Sequence, residues 1–330
     1  MIKKLSLIMV LVLLFAACGK KEMQKLEAEK FLFGTYIKIM AYDNNPKEGK
    51  EAINAAFQEI ARIDDKFNSK RPGSLIYKLN TSPTKEVEVD DEGIILLHSL
   101  NEAYTMSKGK YDVTISPLLN LWGFVEDDEV TEVPSSEAIK KIQKEIDFSK
   151  VKIDGHKLKI EAPVEMIDTG SFLKGYALKE AREKMIKMGI KSAFLTSISS
   201  ITTIGEKPGN KPWRVGLQDP NNLSEIIGIV SLNNESMGVS GDYQTFVEIH
   251  GKKYHHILDK STGYPVTDKK MVVVITDDAF KADMYSTAFF LMPIDDILNY
   301  VNAHKNIEVL IVKANSEIVT SKNFKYEKVK

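Results

Sequence analysis

Disulfides are excluded from the outset, because the 330-residue chain carries one cysteine, Cys18. It also lacks an excess of either charge: 45 Lys and Arg face 46 Asp and Glu, a formal net charge of -1 at pH 7, with the basic residues dispersed along the chain. A nucleic-acid surface needs clustered positive charge, so small molecules or other proteins are the expected partners. Long apolar runs are scarce, and the one at residues 5–15 is too short to span a bilayer. No internal repeat and no low-complexity linker is found.

That short run matters for where it stands. Lys3 and Lys4 precede it and Ala16-Ala17-Cys18-Gly19 follows it, the charged, apolar, small-residue order of a secretory signal. A lone cysteine directly after Ala-Ala reads as the lipid-modified first residue of a bacterial lipoprotein. We therefore expect residues 1–17 to be removed and Cys18 lipidated, with 18–30 a charged tether, partly helical at most. The folded unit should cover 31–330, held by acyl chains on the extracytoplasmic face, periplasm or cell surface.

Hydrophobic periodicity gives a coarse fold. Ile53, Phe57, Ile60, Ile63 and Phe67 recur at helical spacing, and Ile94, Leu97 and Leu100 begin a second helix that Gly109 should end. A third covers 174–188, with Ala177, Ala181, Met185 and Met188 on one side. Residues 31–42, 213–217, 226–232, 245–250, 271–276 and 307–313 read as strands, several separated by short turns. The acidic stretch 126–132 reads as an exposed loop entering a helix near Glu137. This irregular mixture predicts an α+β fold: a mixed, largely antiparallel sheet core with flanking helices.

Two clusters carry chemistry. The run 255–263, His-His-Ile-Leu-Asp-Lys-Ser-Thr-Gly, sets an imidazole pair close to a carboxylate and ends in a loop signal, so its polar groups should sit at a strand end facing a cleft. Asp283 and Thr287 are four residues apart, which in a helix puts a carboxylate and a hydroxyl on one face. Oxygen ligands in that register suit a hard cation; the alternative for such a pair is a helix start capped by Asp.

With these residues quoted, the chain resembles the ApbE family of flavin transferases. The ordered segments are Phe33-Gly34-Thr35, Tyr111-Asp112-Val113-Thr114-Ile115-Ser116-Pro117-Leu118, Leu121-Trp122-Gly123-Phe124, Asp168 through Lys174-Gly175-Tyr176, Trp213-Arg214-Val215-Gly216, Ser240-Gly241-Asp242-Tyr243, the 255–263 run and Asp283 to Thr287. The resemblance implies an ApbE-like fold and magnesium-dependent cleavage of FAD. It also implies transfer of FMN, through a phosphoester, to Thr or Ser of a partner flavoprotein, such as a subunit of a membrane redox complex, with release of AMP.

By the same resemblance, Asp283, Thr287, Ser286 and the backbone carbonyl of Ser171 would hold Mg2+. His256 would be the general base, a role that suits a side chain titrating near neutrality, and Asp259 would orient it. Phe33, Lys110, Tyr111, Asp112, Asp168, Lys174 and Ile257 would meet the flavin nucleotide. The chain departs from the family pattern at Ser199-Ser200 in place of paired glycines, at Ser171, at Leu75 after Ser74, and at Lys260 in place of proline. These departures are expected to surround the cofactor cleft rather than the metal site. An FAD pyrophosphatase or flavin carrier on the same scaffold, and a solute-binding lipoprotein, are the competing readings. The last would show two α/β lobes built on parallel strands.

Overall fold

The computed structural model describes residues 22–125 and 130–329. The signal segment and Cys18 lie outside the described residues, as does most of the acidic stretch, 126–129. Among the described residues, no helix is long and apolar enough to cross a membrane.

Eight strands form the central sheet: β1 (Gln24–Leu32), β2 (Thr35–Asp43), β3 (Ala193–Ser197), β4 (Ser200–Ile204), β5 (Ser236–Gly241), β6 (Lys269–Thr276), β7 (Ile307–Lys313) and β8 (Ile318–Thr320). They lie side by side in chain order, and each neighbouring pair is antiparallel. The α+β reading with an antiparallel core holds, and the parallel lobes of a solute receptor are not this architecture.

The sheet is covered on both faces, and its sequence shows why. In β6, Val272 and Val274 join a core shared with the helices, while Met271, Val273 and Ile275 join a second core on the opposite face. Side chains alternate across a strand, so a strand buried on both sides reads as an unbroken apolar run. β7 repeats the pattern, with Val309 and Ile311 on one face and Leu310 and Val312 on the other.

The helical layer contains α1 (Pro46–Phe67), α2 (Asp91–Met106), α3 (Leu173–Lys187) and α4 (Ala279–Leu291). α1 starts at Asn45, whose side chain accepts from Lys47 N–H, and buries the stripe Ile53, Phe57, Ile60, Ile63 and Phe67. α2 stops at Met106, and the chain turns away through the left-handed residues Lys108 (φ 56°) and Gly109 (φ 78°). α4 is buried nearly all round, Asp283 and Ser286 included. The opposite face of the sheet carries a small sheet of Trp213–Asp219, Asn222–Leu232 and Glu327–Lys328. A satellite cluster packs Trp122 and Leu118 against the hairpin of Phe246–Ile249 and Lys252–His255.

Two expectations are corrected. Residues 24–30 are not tether: Gln24–Leu32 pairs with β2 over its whole length as an edge strand. Leu26 is buried while Lys25, Glu27 and Glu29 face water, a charged edge of the kind that resists pairing with other chains. Nor is 31–42 one strand. Phe33 (φ 54°) and Gly34 (φ 69°) break it, and Leu32 pairs with Thr35 across them. Positive φ at both central residues is what a two-residue type I′ hairpin loop requires.

Candidate active site

α4 enters the site because two glycines let it approach closely. A Cβ on Gly238 of β5 would lie 2.1 Å from the carbonyl oxygen of Ala282, and one on Gly175 of α3 would lie 2.3 Å from Cβ of Asp283. Asp283 is thus wedged between sheet and helix. It is not the helix cap, since Asp278 holds that place and accepts from Phe280 and Lys281 N–H. Its Oδ2 accepts from Gly175 N–H at 2.8 Å and its Oδ1 from the Ser200 hydroxyl at 2.9 Å. Burial raises the Asp283 carboxyl above the ordinary carboxylate range, against the opposing charge of Lys174 and these two donated bonds.

Asp283 and Thr287 open into a cavity of about 380 Å³ together with His256 and Ile257. Phe33, Lys110, Tyr111, Asp112, Asp168, Ser171 and Lys174 also line it. A smaller recess of about 180 Å³ shares Phe33, Asp168 and Lys174 with the first and reaches Asn68 and Ser69. The two adjoin through these shared residues and mix apolar walls with many polar groups.

His256 follows the end of its hairpin strand. Its Nδ1 lies 3.1 Å from the Thr245 carbonyl, which can only accept, so Nδ1 carries the proton and neutral Nε2 keeps its lone pair. The half-buried ring stands edge-on to Phe124. Desolvation lowers its pKa to about 4, with the Thr245 bond opposing and the charges of His255 and Lys174 adding to the drop. His255 has a different task. It is buried, donates from Nε2 to the Val266 carbonyl at 2.7 Å and accepts Ile257 N–H at Nδ1, so both nitrogens are consumed in building the cavity floor.

Asp168, Lys174, Tyr111 and Ser171 line the same cavity. Asp168 accepts from Gly170 N–H at 2.8 Å, and desolvation raises its pKa. Lys174 reaches the Gly170 carbonyl at 3.1 Å and lowers the pKa of both Asp168 and Asp283 through its charge. The Tyr111 hydroxyl pairs with Ser171 Oγ at 2.9 Å, and its burial drives the phenol pKa far upward.

The structure sets three expected residues in other roles. Asp259 does not bond His256: Ser261 occupies its Oδ1 and Lys110 its Oδ2 at 3.4 Å, so it bears on the cleft through Lys110. Ser286 does not line the cavity. Its hydroxyl donates to the Asp283 carbonyl and meets Ser240, which directs it into the packing of α4. Asp112 borders the cavity, but its side chain has no exposed area. Thr114 N–H and Oγ1 take its Oδ1, while Phe148 N–H and Lys260 Nζ take its Oδ2. Lys260, at 2.6 Å, therefore ties the 255–263 run to the segment that carries Asp112, an accommodation that proline could not make.

The Ser199-Ser200 departure divides, since Ser199 lines the cavity, as expected, and Ser200 does not. Ser200 contacts Asp283, and the β3–β4 turn it closes holds no left-handed residue, so no glycine is required there for its φ. Lys70, Leu119, Ile198, Gln244 and Thr245 line the cavity without having been singled out in the sequence. Lys70 follows α1 in a polar loop, and the others sit in turns or on helix faces where no local pattern separates a cavity wall from surface.

The donor set can be tested against a metal. Among the described residues, no group of three or more His, Cys, Asp or Glu stands together as a metal cage. One buried carboxylate beside hydroxyls suits instead a hard ion that keeps water or substrate oxygens in its shell, as Mg2+ does.

A sequence model described as the ApbE family matches residues 33–311. The chain is similar to the FAD:protein FMN transferase of Haemophilus influenzae, 24% identical over 324 residues that cover 95% of this chain and 94% of that one. A Klebsiella pneumoniae protein of the same name is 25% identical over 298 residues, 88% of this chain and 90% of its own. The crystal structure of the ApbE protein from Thermotoga maritima superposes with a TM-score of 0.84 at 32% identity, covering 93% of this chain and all of that one. The flavin transferase ApbE from Vibrio cholerae, at 21% identity and a TM-score of 0.82 over 92% of this chain and 98% of its own, shares the fold. With its antiparallel core, its wedged Asp283 and a family match running from the Phe33 turn to β7, this chain belongs to the ApbE family.

Proposed function

We propose that the protein is a magnesium-dependent FAD:protein FMN transferase. The observation that carries the reading is that Asp283 and Thr287 of α4 and His256 at a hairpin end line one cavity with the aromatic and charged residues suited to a flavin dinucleotide. Asp283, Thr287 and the backbone carbonyl of Ser171 would hold the ion. A bound Mg2+ would neutralise charge on the phosphate oxygens of the substrate.

The chain's own residues do the rest. Phe33, Ile257 and Tyr111 wall the ligand, while Lys174 and Lys110 supply positive charge near its phosphates. His256 Nε2 takes the proton of the acceptor Thr or Ser hydroxyl as its oxygen attacks the phosphorus of the FMN half. The phosphorus–oxygen bond to AMP breaks and AMP leaves. Asp112 and Asp259 hold the wall and the 255–263 loop rather than the ligand.

Lipid attachment at Cys18, an extracytoplasmic location and an acceptor in a membrane redox complex belong to the same proposal and rest on the amino-terminal signal order. The test is incubation with FAD, Mg2+ and a Thr-bearing acceptor, read by mass spectrometry. We expect an FMN-sized addition on one Thr, lost in His256→Ala and Asp283→Ala. Free FMN with an unmodified acceptor would make the protein a hydrolase, and intact FAD would make it a carrier.

A further inference from the structure

Each side chain assigned to the metal meets a serine hydroxyl from the sheet. β4 and β5 run antiparallel with Ser200 opposite Gly238, and Ser240 lies two residues further along β5, on the same face. That face receives α4, at the point where Gly238 lets the Ala282 backbone approach. Ser200 is 1% exposed and Ser240 is 6% exposed.

Ser200 binds Asp283 Oδ1 at 2.9 Å while Gly175 N–H binds Oδ2 at 2.8 Å. With a donor on each oxygen, the carboxylate cannot rotate freely about its last bond, yet each oxygen keeps a lone pair for another partner. Ser240 stands 2.9 Å from Ser286 Oγ and 3.1 Å from Thr287 Oγ1. The proton order along this chain is determined at one end. Ser286 donates to the Asp283 carbonyl at 2.8 Å, a group that only accepts. Ser240 must then donate to Ser286, and Thr287 must donate to Ser240. The Thr287 oxygen is left with its lone pairs and no proton directed at an incoming cation.

We propose that Ser200 and Ser240 are positioning residues: the first sets the plane of the Asp283 carboxylate and the second turns the Thr287 hydroxyl so that its oxygen can ligate. This rests on the metal reading above. Groups that orient ligands in this way are commonly worth 10-fold or more in metal affinity. Serine at 200 is also where this chain departs from the paired glycines of its family, so the carboxylate clamp is a feature of this sequence.

The test is Mn2+ affinity, read from free Mn2+ by electron paramagnetic resonance with no nucleotide present, on full-length wild type and variants. Ser200→Ala and Ser240→Ala should each weaken Mn2+ about 10-fold. Ser200→Thr, which keeps the hydroxyl, should stay within about twofold of wild type, and ADP affinity without metal should not move in any variant. If Ser200→Thr fails to fold, Ser240→Ala decides. Mn2+ affinity within twofold of wild type in both alanine variants overturns the proposal while Asp283→Ala still abolishes binding, which keeps the metal reading intact. Equal Mn2+ binding by Asp283→Ala and wild type removes the metal reading and the positioning role together.

Discussion

His256 and Asp112 show how far a residue's chemistry is set by what surrounds it. A free imidazole would be partly protonated at pH 6, but the crowded ring of His256 titrates near pH 4. Its folded pKa is depressed, so the base form is present above that value and is lost as pH falls through it. We expect the acidic limb of the transfer rate that belongs to His256 to lie near pH 4 rather than 6.5, measured by single-turnover FMN transfer between pH 3.5 and 8. The unfolded chain binds this proton between pH 6.5 and 4 while the folded one does not, so stability also drains across that window. Asp112 makes the opposite case, since its acidic side chain is spent on the fold. Asp112→Ala strands Lys260 and three other donors, and should cost about 3 kcal/mol in denaturant unfolding. A variant as stable as wild type would return Asp112 to the list of ligand contacts.

Among elements, the β1–β2 turn trades stability for shape. Phe33 holds a left-handed conformation that an aromatic residue rarely adopts, and its side chain lines both recesses of the cleft. Such strain costs about 1–3 kcal/mol and tends to sit where a side chain is needed. Phe33→Asn, which creates the favoured Asn-Gly type I′ turn, should raise unfolding free energy by about 1 kcal/mol and weaken FAD binding severalfold by flavin fluorescence. A variant that lost both stability and binding would mean the turn is not strained.

Two of the central strands, β6 and β7, and the long helices were legible because their period is local, whereas β4 and β5 were not among the expected strands. The runs 271–276 and 307–313, the α1 stripe and the four-residue spacing of Asp283 and Thr287 each carry their own signal. β1 was not legible, since an edge strand covered in Lys and Glu looks like a tether until β2 pairs with it. The expected bond between Asp259 and His256 failed for a related reason: three residues of separation said nothing about Ser261 and Lys110 reaching the carboxylate first.

For the whole molecule, ligand and fold should be coupled through the cleft, because its walls come from the Phe33 turn, α3, α4 and the loops between them. FAD with Mg2+ at about 100 times their dissociation constants should add about 2.7 kcal/mol to stability, seen as a raised thermal midpoint. Asp283→Ala should keep the part due to FAD alone and lose the increment due to the ion. An undiminished increment would place the ion elsewhere.

The sequence by itself determined the class of the fold, the family and the two clusters that carry the chemistry, because hydrophobic period and residue spacing are properties of neighbours along the chain. Only the tertiary structure decided what each polar group faces. Ser200 reaching Asp283, Lys260 closing on Asp112 and Ser286 turning into α4 are contacts across 83, 148 and 46 residues or within a packed helix. Hydrogen bonds are short and directional, so such partners are chosen by packing in space, which no local pattern records.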